Sequence, residues 1–183
     1  MSTEVLPKLG LPEHEPSGEV NFLDTNKSDD LFIGTYEDNI IIVNPSMVYQ
    51  LLSTELPELG ERFITSFPTA EIAVLAENST VAEFGYAIID RGRRVRVKHG
   101  CDGEIYVDIG DLLAEEKEIM TGAIFSPEEL EEMREDMDED EVQEMIDFEA
   151  SWRVSSEISK RYLGEDVESL SRDAIRFTRY KKA

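Results

Sequence analysis

Hydrophobic and polar positions along the chain form short alternating runs first and a long stretch of helical spacing later. Residues 1–29 show neither period and hold three of the seven prolines, so they read as an extended N-terminal arm with a short strand at Val20–Phe22. Leu31–Tyr36 and Ile40–Val43 are β-rich runs on either side of Glu37-Asp38-Asn39, which predicts a hairpin. A helix start follows at Asn44-Pro45-Ser46. Asn44 can cap the free amides, and Pro45 at the first helical position has no amide to satisfy. Met47, Val48, Leu51 and Leu52 then share one face. A second short helix is expected from Pro57, with Leu59, Phe63, Ile64 and Phe67 at helical spacing and Pro68 as its stop.

Period two is plainest between residues 70 and 110. Ala70–Ala76 and Val81–Asp90 read as strands, with Gly85 marking a bulge. Gly92 permits the tight turn after Asp90, and Arg93–Lys98 returns with Val95 and Val97 inward and Arg94, Arg96 and Lys98 outward. After the Cys101-Asp102-Gly103 turn, Glu104–Ile109 alternates again, so residues 81–109 are expected to form a three-stranded antiparallel meander.

Beyond Gly110 the period becomes helical. Asp111–Met120 predicts one helix ended by Gly122, and Ser126-Pro127-Glu128-Glu129 is a capping box opening another. That stretch breaks near Asp138 and continues with Val142, Met145, Ile146, Phe148, Trp152, Ile158 and Tyr162 as an apolar stripe, to a stop at Gly164. The end, Ala174–Tyr180, alternates Ile175 and Phe177 with Arg176 and Thr178, which fits a last strand rejoining the sheet better than a basic helix. These elements amount to an α+β fold: a mainly antiparallel sheet with a central meander, packed by helices, and an acidic helical C-terminal half. No repeat or linker divides residues 30–183, which are expected to be one domain.

One set of residues has a counterpart elsewhere. Gly92 in a turn, Arg96 on the next strand, then Gly110, Leu113 and Glu116 resemble small bacterial α+β domain families of unknown function. The unit that carries the resemblance runs from Val81 to Glu116. The resemblance implies an α+β fold and a bacterial source, and it transfers no site residue.

Charge changes the picture most. The chain has 183 residues, of which 41 are Asp or Glu against 18 Lys or Arg, a net −23. Such a surface repels phosphate backbones and attracts basic proteins, so nucleic acid is not an expected partner. With 40% apolar residues there is enough for a core, but the longest aliphatic run, Ile40–Val43, is far too short to span a bilayer. The start lacks the pattern of a secretory signal, and one cysteine, Cys101, excludes an internal disulfide. A cytoplasmic protein without membrane contact is the expectation.

Thirteen of the acids lie between Glu128 and Glu149, with Arg134 the only base among them. At helical spacing these carboxylates repel one another, so they weaken the helices that carry them. Glu131, Glu135, Glu139 and Glu144 are the candidate contacts for a basic partner, against the alternative of a merely solvated face. Asp136, Asp138 and Asp140 imitate the start of a calcium loop. The match fails at Glu141, where glycine is required, and at Asp147, where glutamate is expected. The converse feature is the run Arg91, Arg93, Arg94, Arg96 and Lys98. Arg94, Arg96 and Lys98 are expected on one face, paired internally with Asp108, Glu104 or the acidic helices, or else binding an anion.

His99 and Cys101 sit two apart at a strand end, but a zinc site needs four ligands and the only other histidine is His14. None of the common nucleotide, metalloprotease or nucleophile-elbow motifs occurs. No catalytic residue, metal or cofactor is therefore assigned. The reading that results is a non-catalytic interaction protein of inhibitor or immunity type. The alternative is a small enzyme or binding domain for an anionic small molecule. The sequence implies no oligomeric state.

Overall fold

The structure, a computed structural model, describes residues 2–11, 13–27, 29–166, 169 and 175–182. Its first half runs α1 (Ser2–Lys8), β1 (His14–Asn21), a 3-10 turn at Phe22–Lys27, β2 (Leu31–Tyr36), β3 (Asn39–Val43), α2 (Pro45–Leu51) and α3 (Glu58–Ser66). Then come β4 (Glu71–Asn78), β5 (Glu83–Asp90), β6 (Arg93–Cys101), β7 (Glu104–Gly110), α4 (Ala114–Thr121), α5 (Pro127–Asp136), α6 (Glu139–Leu163) and β8 (Arg176–Lys182). The class is α+β, as the pattern implied.

Local chemistry sets most of these boundaries. Asn44 Oδ1 accepts the Met47 amide at 2.9 Å and Pro45 opens α2. Arg91 and Gly92 take φ of 46° and 76°, and Asp102 and Gly103 take 51° and 76°. These are the paired positive values of tight hairpin turns, and they join β5 to β6 and β6 to β7. At the far end Gly164 stops α6 in the left-handed region.

The strands form two sheets rather than one. β4-β5-β6-β7 is an antiparallel meander in sequential order, and the expected three strands are its last three. The second sheet has the order β1-β8-β2-β3, so the C-terminal strand lies between β1 and β2 and does not rejoin the meander. Ala174, the expected start of that strand, lies outside the described residues. Gly85 is not a bulge: it pairs in register with Ala76 and His99, and a side chain there would collide with Leu52. Close packing of α2's end on β5 is what requires glycine at this position.

The expected extended arm is corrected too. α1 is helical and β1 lies along β8 from His14 to Asn21. A seven-residue helix with Pro7 inside it leaves no readable period, and tertiary burial holds it in place. Val5, Leu6 and Leu9 enter a cluster with Leu31, Ile33 and Tyr180 of one sheet and Val74, Ala87 and Val97 of the other. Leu51, Leu52 and Phe63 of the α2–α3 region complete it.

The opposite face of the meander is covered by α6. Tyr86 and Ile88 pack there on Val154 and Ile158, with Leu113 and Ile119 at the margin. Ser151, Ser155 and Ser159 are buried along the same helix face, so α6 lies on the sheet through small residues as well as large ones. Met145 of the expected stripe is exposed instead.

Leu9→Ala tests whether the N-terminal segment is part of the core. Loss of a fully buried leucine should cost about 2–5 kcal/mol in urea unfolding. Unchanged stability would show the segment to be peripheral.

Candidate functional site

Arg94, Arg96 and Lys98 do not form the expected basic row. The β5–β6 register shifts between Ile88 and Ile89: Ile89 pairs with Arg94 and Ile88 with Arg96. The extra residue, Val95, places Arg94 and Arg96 on opposite faces. Arg94 donates to the carbonyl oxygens of Ser53 (2.7 Å) and Thr54, closing the loop between α2 and α3. Lys98 reaches α6, where its Nζ donates to Ser151 Oγ at 3.1 Å.

Arg96 points beneath α4 and α6 and is 1% exposed. Its Nε donates to Glu116 at 2.9 Å and 3.1 Å, and Nη2 donates to Glu116 Oε1 at 2.6 Å. Nη1 donates to Asp108 and to the carbonyls of Ile109 (3.2 Å) and Gly110 (3.4 Å). Glu116 is equally enclosed. It also accepts the Tyr86 hydroxyl at 2.9 Å and the Leu113 amide at 2.8 Å, the latter closing the first turn of α4. Burial works against the Arg96 charge, but hydrogen bonds to Glu116 and Asp108 and the Glu116 charge more than offset it, holding the guanidinium above its ordinary value. Burial first, then the Glu116 charge, pushes the Tyr86 phenol up as well.

Gly92, Arg96, Gly110, Leu113 and Glu116 thus belong to one structural device. Gly92 makes the turn that sends β6 back. Gly110, at φ 94°, brings its carbonyl to Arg96 where any side chain would strike the Val95 carbonyl. Internal pairing of Arg96 with Asp108 was expected; its main partner, Glu116, lies outside the acidic helical block.

That block stands apart from the core. No residue between Pro127 and Glu141 is buried, and only Leu130 and Met133 are partly covered. α5 and α6 are held at their starts by two successive capping boxes. Ser126 Oγ accepts the Glu129 amide at 3.2 Å while Glu129 accepts the Ser126 amide at 2.7 Å. That backbone bond holds the Glu129 carboxyl below the usual carboxylate range. Asp138 Oδ1 accepts the amides of Asp140 and Glu141, each at 3.0 Å. The central aspartate of the calcium-like run is therefore a helix cap.

Glu131 and Glu135 stand one turn apart on α5, both exposed. Glu139 opens α6 and accepts from Arg134 at 2.9 Å, pinning the α5–α6 corner. Glu144 is separate from these three. It leans over the Asp102–Gly103 turn, where a side chain on Gly103 would meet its carboxylate.

Near that turn lies a cluster the sequence reading had only half in view. Glu83 accepts the Tyr49 hydroxyl at 2.9 Å and lies 3.3 Å from His99 Nε2. The His99 ring sits between those of Tyr49 (6.0 Å) and Tyr106 (5.6 Å). The Cys101 thiol donates to the Val81 carbonyl at 3.2 Å. Among the described residues no group of three or more His, Cys, Asp or Glu is placed to hold a metal, and no helix is long and apolar enough to cross a membrane.

A family model described as a family of unknown function (DUF6928) matches residues 10–146, well over half of the chain, and the chain belongs to that family. The match extends far beyond the Val81–Glu116 unit. Among curated proteins and solved structures nothing matches.

Two outcomes test the buried pair. Arg96→Met alone should cost about 3–5 kcal/mol, because Glu116 is left buried and unpaired, whereas Arg96→Met with Glu116→Leu should recover most of it. Equal loss in both, read from denaturant midpoints, would contradict the pairing. The raised Tyr86 phenol predicts stability that is complete below about pH 10 and is lost as pH rises beyond it, since only the unfolded chain then releases the proton. Tyr86→Phe should flatten the alkaline fall in Tm, and an unchanged slope would exclude this contribution.

Proposed function

We propose that this member of the DUF6928 family is a non-catalytic interaction module that docks a basic protein through the acidic corner formed by α5 and the start of α6. The observation that carries the reading is the position of the charge. The most acidic segment of the chain is helical and capped at both starts, yet it buries none of its residues between Pro127 and Glu141. Its carboxylates repel one another along each helix and do not help to form the core. A surface of this kind is suited to steering an oppositely charged partner, which raises association rate more than it raises affinity.

The geometry of the basic residues favours this reading over an anion-binding domain. Arg96 is enclosed with two carboxylates, Arg94 is spent on a loop, and Lys98 is engaged by α6. Two surface depressions, one beside α4 and α6 and one beside α2 and α3, are lined by other residues. The larger, about 430 Å³, lies between α4 and α6 among Glu115, Glu118, Arg153 and Lys160. A cytoplasmic inhibitor or immunity-type role is the finer form of the proposal.

The test replaces Glu131, Glu135, Glu139 and Glu144 with Gln. Surface charges contribute little to folding, so Tm should stay level or rise as self-repulsion is relieved. A basic partner recovered from host lysate by the parent protein should associate several-fold more slowly with the variant, and the difference should shrink in high salt. Recovery of no basic protein, or identical kinetics with the variant, would reduce the corner to a solvated face.

A further inference from the structure

Two half-exposed tyrosines, Tyr49 (47%) and Tyr106 (52%), stand near the β6–β7 end of the meander. They come from distant segments, α2 and β7, and meet over one residue, His99 of β6. His99 and Glu83 are largely covered, and each touches the other. Glu83 also holds the Tyr49 hydroxyl. Tyr106 is the extra residue of a bulge, since Ile105 pairs with Gly100 and Val107 with His99. That bulge turns its ring back towards His99. The two rings are thus fixed before any partner arrives, and little side-chain freedom remains to be lost on binding.

The surroundings state what such a row would receive. Asp102 and Glu104 are exposed beside Tyr106, and Glu144 of α6 leans over Gly103 in the same turn. The first acidic turns of α6 thus meet the same turn from the other face of the meander. Aromatic faces next to carboxylates attract a cation, and a planar guanidinium stacks on a ring better than an ammonium does. Tyrosine in a rigid, partly apolar setting is also the kind of residue that dominates binding energy within a larger polar contact.

We propose that the Tyr49–His99–Tyr106 row is the anchor of the docking surface, receiving an arginine side chain of the basic partner over its rings, with Asp102 and Glu104 opposing its charge. This rests on the reading of the acidic corner as a docking surface and adds its energetic centre. The corner attracts at long range; the tyrosine row makes the short-range contact.

The probe is a short arginine-rich synthetic peptide, with a lysine-rich peptide of equal charge beside it, titrated into the full chain at about 150 mM salt. Calorimetry gives affinity, and the tyrosine ring NMR signals give location. The arginine peptide should saturate, shift the Tyr49 and Tyr106 ring signals, and bind more tightly than the lysine peptide. Tyr106→Leu should weaken it roughly five-fold or more, while Tyr106→Phe, which keeps the ring and the fold, should stay within about two-fold of the parent. If Tyr106→Leu does not fold, unmoved ring signals in the parent overturn the anchor by themselves. A Tyr106→Leu variant that binds like the parent, while the four-glutamine variant loses the peptide, would overturn the anchor and leave the acidic corner standing. No saturable binding to the parent would overturn both.

Discussion

A guanidinium taken out of water is costly to place, and the meander is organised around one. Arg96 lies 1% exposed under two helices, and its placement is favourable only because Glu116 enters with it and the remaining donors find oxygens. Those oxygens come from separate parts of the chain. Glu116 belongs to α4, and Asp108 and the Ile109 and Gly110 carbonyls belong to β7 and its end, while Glu116 in turn accepts from Tyr86 of β5. One ion pair therefore fixes where β7 ends, how the chain turns into α4, and which side of the sheet α4 covers. Gly110 follows from this, because only a residue without a side chain can bend there against Val95.

The same constraint shapes the outer charge. Arg96, Arg94 and Lys98 are drawn inward or tied to neighbouring elements, while the carboxylates of α5 and early α6 stay outside. Part of the chain's modest positive charge is in this way withdrawn from the surface. The exposed carboxylates are dense at the α5–α6 corner, and Glu144 of α6 reaches the β6–β7 turn. Fold and proposed function meet in this segregation. On the proposed reading, what the core left outside is what would steer a basic partner.

Local chemistry made much of the fold legible from sequence. The Asn44 cap, the Ser126 capping box, the Asp138 break, the Gly92 turn and the Gly164 stop each act within a few residues, and each stands where its residue types place it. What escaped depends on distant partners. Alternation showed that Arg96 opposes Val97 but not that α6 roofs that face. A single inserted residue, Val95, was enough to send Arg94 to the other side. α1 escaped because seven residues with a proline carry no period, and the second sheet because β8 is joined to β1 and β2 only in space. Of the candidate site residues, Glu131, Glu135 and Glu139 lie at the α5–α6 corner, whereas Glu144 lies over the Asp102–Gly103 turn. The tyrosine row had no signal of its own, since Tyr49 lies fifty or more residues before His99 and Tyr106 and only His99 drew notice.

The central claim is that Arg96 is a closed structural charge rather than a receptor for small anions. Nitrogen-15 NMR of its side-chain Nε–H measures this directly. Bonded to a buried carboxylate, that proton should exchange slowly with water and keep its resonance position as inorganic phosphate is added in large excess. Rapid exchange, or a saturable shift with phosphate, would contradict the account and return the meander to an anion-binding role.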